Sequence, residues 1–558
     1  MKLNRIFILA AIFTAFFTSC ELEDELVSTI IKDDITTTTT WESGKVYVIQ
    51  GSISVDNTTL TIQPGTRIEF EAGASLHIGY YGNATLIANG TAEKPIIFTS
   101  NASTPSAGAW EGITFWSHSL NSSMKYCTVK FAGTTSKGAV NINDAMITFS
   151  NNLIQNAKLY GLLLDDGAGF TEMNSNTIED CGSHPIRLHA AYMHTIGTGN
   201  TFTCPDGKGV NVVSDDVTGN ITWKKLNKPY YVEGSIDIDN GTLTIEPGAI
   251  FKFNSDGVLH IGYYNNTTFI ANGTSTEKIV FTTSAASPSA GSWTGLHFWD
   301  DNLSTSSMTY CEVAYAGKSS VSAIKLNSTS LTFNNNSIHH AMSKGIELEA
   351  SEFVAMNNNT IENIGSHAIE IPANYVHTIG TGNVFTCGAG YGIEVTYGDI
   401  TSASTWKKLV VPYYINVAVN VNGNLTIQPG SILKFGADGK IHVGYYQNAV
   451  LTANGTTTEP IIFTSSASSP AAGAWEGIYL WDNSNSTNFN YCEFLYAGKG
   501  NATDRAAIMA TSSNFTVTNS KFKNSSGWGI YYDAYSTLTQ SGNSFESCAL
   551  GNIGFDTK

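Results

Sequence analysis

Charge is what this chain has least of. Of 558 residues only 13% are Asp, Glu, Lys or Arg, about half the share of an ordinary soluble domain. The balance is acidic, 29 Lys+Arg against 46 Asp+Glu, a net of −17. So few cations leave no footprint for a polyanionic backbone, and nucleic acid is excluded as a partner. Proline is scarce at 13, and the 8 cysteines include no Cys-x-x-Cys pair, which removes zinc ribbons and thioredoxin-type redox sites. No stretch carries an apolar period of 3.6, so amphipathic helices are missing. The one long apolar run, Ile6 to Phe17, is too short to cross a bilayer as a helix. Ser, Thr, Asn and 52 Gly fill the gap, yet 42% of the chain is hydrophobic. That supports a large core and excludes wholesale disorder.

Lys2 and Arg5 ahead of the Ile6–Phe17 run give residues 1–19 the dimensions of a signal peptide. The segment resembles a bacterial lipoprotein signal, with Phe17-Thr18-Ser19-Cys20 as a loose lipobox. The resemblance implies that Cys20 is lipidated and becomes the first residue of the mature chain. The acids that follow, Glu21, Glu23, Asp24 and Glu25, resemble the export signal of Bacteroidota lipoproteins displayed outside the cell. The expected address is therefore the outer membrane, lipid-anchored and facing outward, with residues 20–40 as an acidic, Thr-rich tether. A plain secretory signal and an acidic spacer on a periplasm-facing lipoprotein are the alternatives.

Beyond the tether one sequence is written three times. Leu60-Thr-Ile-Gln-Pro-Gly65 returns as Leu243–Gly248 and Leu425–Gly430, with prolines 64, 247 and 429 offset by 183 and 182. Leu76-His-Ile-Gly-Tyr-Tyr81 returns as Leu259–Tyr264 and Ile441–Tyr446. Trp110, Trp293 and Trp475 match, as do the Tyr-Cys pairs ending at Cys127, Cys311 and Cys492. The spacing divides the chain into modules at 41–222, 223–405 and a truncated 406–558. Inside each module short pieces alternate with period 2, such as Leu60/Ile62, Ile68/Phe70 and Leu76/Ile78, between polar corners. The Asn-rich corners Ser150–Asn152, Asn334–Asn336 and Asn357–Asn359 suit left-handed backbone and side chains bonded from coil to coil. All-β solenoid is the fold these features predict.

The Leu-x-Ile-x-Pro-Gly start, the Ala-Asn-Gly-Thr…Ile-x-Phe-Thr step and the Trp-x-Gly-Ile step resemble right-handed parallel β-helix proteins of the pectate-lyase-like superfamily. About 22 coils and a rod near 105 Å follow from roughly 23 residues and 4.8 Å per coil. The resemblance speaks for fold and leaves activity open, since that superfamily holds enzymes, adhesins and scaffolds. The Asn-Thr-Asp, Gly-His-Gly and Arg-Ile-Lys signatures of its galacturonan hydrolases are missing.

Candidate sites come from what recurs. Tyr80-Tyr81, Tyr263-Tyr264 and Tyr445-Tyr446 each end a strand, where alternation cannot bury both rings. Trp116, Trp299 and Trp481 follow an inward residue by one and face out or sit at a corner. Exposed flat aromatics among Asn and Asp suit sugar stacking, at about 1 kcal/mol per platform. Three platforms on one rod would hold a long polymer far better than a short one. Packing under long loops is the competing account. Asp165, Glu349 and Asp533 recur after inward pieces, either as solvated turn acids or as ligands for calcium or a sugar hydroxyl. No metal site is otherwise expected, because His77, His260 and His442 lie too far apart to share an ion, and no cofactor motif is present. The once-per-module cysteines read as buried small hydrophobes. The expected function is a non-catalytic glycan-binding or adhesion rod, perceived partners being a polysaccharide or an outer-membrane protein complex. A β-helix polysaccharide lyase or glycoside hydrolase, and a structural spacer or docking subunit, are the alternatives.

Overall fold

The computed structural model describes residues 28–556, so Cys20 and the acids Glu21, Glu23, Asp24 and Glu25 lie outside the described residues. No helix among the described residues is long and apolar enough to cross a membrane. Among the described residues sixty-one short strands, every pairing between them parallel, wind into a right-handed β-helix with three faces. One face stacks 8, then 6, then 7 strands, with a short 3-10 segment between the last two sets, for about 22 turns. At about 4.8 Å per turn the rod is about 105 Å long.

The period-2 pattern does the folding. In Leu60/Ile62, Ile68/Phe70 and Leu76/Ile78 the apolar residues point inward and are fully or almost fully buried. Each fully buried side chain of this kind contributes roughly 1.5–3 kcal/mol. Trp110, Trp293 and Trp475 complete the core by stacking on Phe70, Phe253 and Phe435 at 3.8, 4.4 and 4.2 Å. Cys127, Cys311 and Cys492 are buried and unbridged, each thiol donating to the carbonyl of Ala88, Ala271 or Ala453 at 3.1 Å.

One corner is held by asparagines. Asn151, Asn335 and Asn358 adopt left-handed backbone (φ 58°, 58° and 56°), which Asn tolerates better than most residues. The next residue turns inward and bonds along the rod. Asn152 Oδ1 accepts from the Cys127 amide at 2.8 Å, and its own amide donates to Asn176 Oδ1 at 2.9 Å. Asn336 and Asn359 repeat this at 2.8 and 2.9 Å.

Two features were not legible beforehand. The stretch expected to be a tether enters the solenoid, since Thr29–Ile31 pairs with Tyr47–Ile49 and Ile35 bridges to Val55. Ile35 packs into the core and the threonines favour extended backbone. The second feature is rotation. From Val46–Ile49 to its equivalent Tyr230–Glu233 the chain spends twenty-one strands and one 3-10 segment, Ala190–Thr195. Twenty-two segments are one more than a multiple of three. The sheet holding Ser75–Ile78 therefore continues into Ile250–Phe253, the equivalent of the preceding strand Arg67–Phe70. The same shift recurs where the sheet of Val258–Ile261 takes up Ile432–Phe435. Each copy is turned by one face, about a third of a turn, relative to the copy before it.

Candidate functional site

The repeated His-x-Gly-Tyr-Tyr segment builds a cluster at a corner of each copy. His77 lies on a strand between inward Leu76 and Ile78, so the pleat turns its imidazole outward. There Trp116, from the next turn, donates its indole N–H to His77 Nδ1 at 3.2 Å. Trp299 to His260 and Trp481 to His442 repeat the bond at 3.1 Å. An imidazole accepting at Nδ1 is neutral. Burial first of all pushes His77 and His260 below the ordinary histidine range, and His442 down to about 4.

On this base stand the tyrosines. Tyr80 packs edge-on to Trp116 at 4.9 Å and to Tyr81 at 4.5 Å. The other copies repeat both contacts: Tyr263 at 4.8 and 4.5 Å, Tyr445 at 5.1 and 4.5 Å. The first tyrosine of each pair stays 43–46% exposed and the second 64–75%. Packing thus holds the rings in place without covering them. The preceding glycine has a separate reason to recur. Gly79 has φ +71°, and a Cβ there would sit 2.5 Å from the His118 carbonyl carbon. Asp56 Oδ1 accepts the Tyr81 amide at 2.7 Å, Asp239 the Tyr264 amide at 3.0 Å, and Asn422 the Tyr446 amide at 3.1 Å.

Each platform also carries an acid that the recurring motifs do not reveal, because it lies ahead of the tryptophan that opens each module. In the first copy Asp34 lines a cleft of about 390 Å³ with Ser52, His77, Tyr80, Tyr81 and Trp116. Its equivalents are Asp216 and Asp399. Burial comes first, then Tyr263 and the carboxylates Asp237, Asp216 and Asp239, in raising the phenol of Tyr264. Asp399 accepts from Asn420 Nδ2 at 2.8 Å, and its charge is the leading cause that raises the Tyr397 phenol, to which Tyr446 also contributes. Comparing the residues ahead of Trp41, Trp223 and Trp406 would have exposed this acid. The arrangement offers a flat apolar ring, hydroxyls and a carboxylate acceptor around an open cleft, the pairing that suits a polyhydroxylated ligand.

Residues 33–148, 215–304 and 398–507, together more than half of the chain, match the family described as pectate-lyase like beta helix domain. The chain belongs to that family. No curated protein matches it. The matched segments of this β-helix protein open one residue before Asp34 and Asp216, and at Gly398 before Asp399, so they contain every platform acid.

The other sequence candidates separate. Asp165 is exposed at its turn, and Glu349 pairs with Lys325 at 3.2 Å. Asp533 ties two turns together, accepting from the Ser512 amide of the preceding turn at 3.0 Å and from Ser536 Oγ of its own at 2.7 Å. The three acids therefore do not share one local environment. Stacking also joins residues distant in sequence: ligand atoms of Asp166, His189 and Asp215 lie within 4.8 Å of one another. His189 and Asp215 already face each other at 3.6 Å. The second copy has Ala350, Pro372 and Gly398 at these places.

Proposed function

We propose that this β-helix protein is a lipid-anchored rod on the outer face of the outer membrane that binds polysaccharide without cleaving it. The observation that carries the reading is the platform built three times. In each copy His and Trp brace a pair of exposed tyrosines beside a carboxylate. Adjacent exposed tyrosines kept beside drifting neighbours, such as Gly82-Asn83 against Asn265-Asn266, call for a ligand, because packing leaves their outer faces open. Each platform supplies about 1 kcal/mol of stacking, with hydroxyl bonds to Asp34, Asp216 or Asp399 adding direction. A glycan array probed with the detergent-solubilised protein tests this. Retention of polysaccharides that falls on joint replacement of Tyr80, Tyr263 and Tyr445 by Ala, with an unchanged melting point, is the expected result. Undiminished retention would end the reading.

The anchor rests on Cys20 and the acids after it. Cys20→Ser is expected to leave the precursor unlipidated. Replacing Glu21, Glu23, Asp24 and Glu25 by Ala is expected to keep the lipid and lose the protein from the cell surface. Protease shaving of intact cells reads the difference.

A second reading, polysaccharide lyase or glycoside hydrolase, draws on one observation. Outward positions of neighbouring strands in the second copy stack Asp237, His260, His297 and Lys325, then Glu347 and Glu370. The lysine that an acid–base pair would need is already held by Glu347 and Glu349 at 3.5 and 3.2 Å. Chain shortening of a bound polymer that disappears in His297→Ala would favour this reading over simple binding.

A further inference from the structure

We infer that the protein cross-links separate chains of a neutral polysaccharide, an inference that rests on the glycan-binding reading of the same three platforms. The first part of the argument is geometric. The strand Ser75–Ile78 and its second-copy equivalent Val258–Ile261 are separated by seven turns and one face. That is a rise of about 35 Å with a third of a turn. The next step, to Lys440–Val443, repeats the shift and reaches the remaining face. The platforms thus point in three directions around the axis. A straight polymer lying along the rod meets one of them, contrary to the expectation that one long polymer engages all three.

To reach a second platform, one chain would have to climb about 35 Å while passing about 27 Å around the perimeter, taking roughly eight residues of strand per face. It would also bend over a corner. Three chains, each seated on its own platform, need no such bend. The outer tyrosines Tyr81, Tyr264 and Tyr446 are the most exposed rings of each cluster, so each platform is open to its own ligand.

The second part is electrostatic. Each platform carries an acid, Asp34, Asp216 or Asp399, on a chain whose formal net charge is −17. Lys137, which lines the first cleft, is bound to Glu111 at 2.7 Å. An anionic polymer would bring its charges against these carboxylates, whereas neutral hydroxyls donate to them.

The test is capture of a second layer. Beads coated with hydroxyethyl cellulose, galactomannan or xyloglucan are loaded with the full-length protein in detergent, washed, and offered the same polymer in fluorescent form. Polygalacturonate serves as the anionic counterpart. The expected result is capture of the fluorescent chain by at least one neutral polymer and none by polygalacturonate. A variant carrying Tyr263→Ala, Tyr264→Ala, Tyr445→Ala and Tyr446→Ala keeps one platform; it is expected to bind the first layer and capture at least tenfold less of the second. Oligosaccharide titration of the unaltered protein needs no variant and is expected to saturate at three per chain. First-layer binding without any second-layer capture, or a stoichiometry of one, overturns cross-linking and leaves glycan binding standing. Absence of binding to every neutral polymer overturns both.

Discussion

Asn152→Ala isolates the corner ladder that holds the turns in register. Asn152 is 2% exposed. Its Oδ1 accepts the Cys127 amide at 2.8 Å and its Nδ2 donates to the Met124 carbonyl at 2.9 Å. Alanine removes both bonds, worth about 1 kcal/mol each, and strands the buried Cys127 N–H at about a further 1 kcal/mol, while the Met124 carbonyl keeps its place in the parallel ladder with Met146–Ser150. The expected loss is about 3 kcal/mol, felt in the adjoining turns, because a solenoid's stability is a sum of nearest-neighbour terms. Native-state hydrogen exchange reads it directly: the Cys127 amide should exchange about a hundredfold faster, at 1.4 kcal/mol per tenfold. The third copy supplies a control. Ser520 stands where Asn152 and Asn336 do, and its Oγ accepts the Cys492 amide at 3.1 Å. Asn152→Ser therefore keeps the critical acceptor and should cost about 1 kcal/mol. If alanine left exchange at Cys127 unchanged, or serine cost as much as alanine, the ladder would not be what secures this corner.

Gly79→Ala should destabilise the first platform by several kcal/mol, since its Cβ would lie 2.5 Å from backbone. Gly44→Ala, with similar φ and nothing within 4 Å, should cost only about 1 kcal/mol, and paired melting curves compare them. Acidification should release the Trp–His bonds. His77, His260 and His442 have folded pKa values below 6.5. Their contribution is whole above pH 6.5, where both states are neutral, and declines below it as the unfolded chain takes up protons first. A tryptophan fluorescence change that sets in below pH 6.5 and, for the Trp481–His442 pair, centres on about 4, suppressed by joint His→Gln substitution, is the readout. Native Cys127, Cys311 and Cys492 should resist thiol reagents until unfolding, because burial pushes their thiols far above the ordinary range. Small-angle scattering should give one stiff rod of about 105 Å.

Local pattern alone determined much of this protein. Period-2 pieces such as Leu76/Ile78 can bury one face only as short strands, and Asn at 151, 335 and 358 takes a left-handed corner at little cost. The exposed tyrosine pairs followed from the same alternation. Partnership between side chains needed the stacking of turns. Nothing near His77 in sequence announces Trp116, because the two meet only when one turn lies on the next. Asp34 joins Tyr80 and Tyr81 for the same reason. Rotation of the copies is a further step removed: it depends on each copy spending twenty-two segments on a three-faced screw. Repetition at 183 and 182 residues makes the platforms alike; the remainder of one segment in three decides that they face different ways.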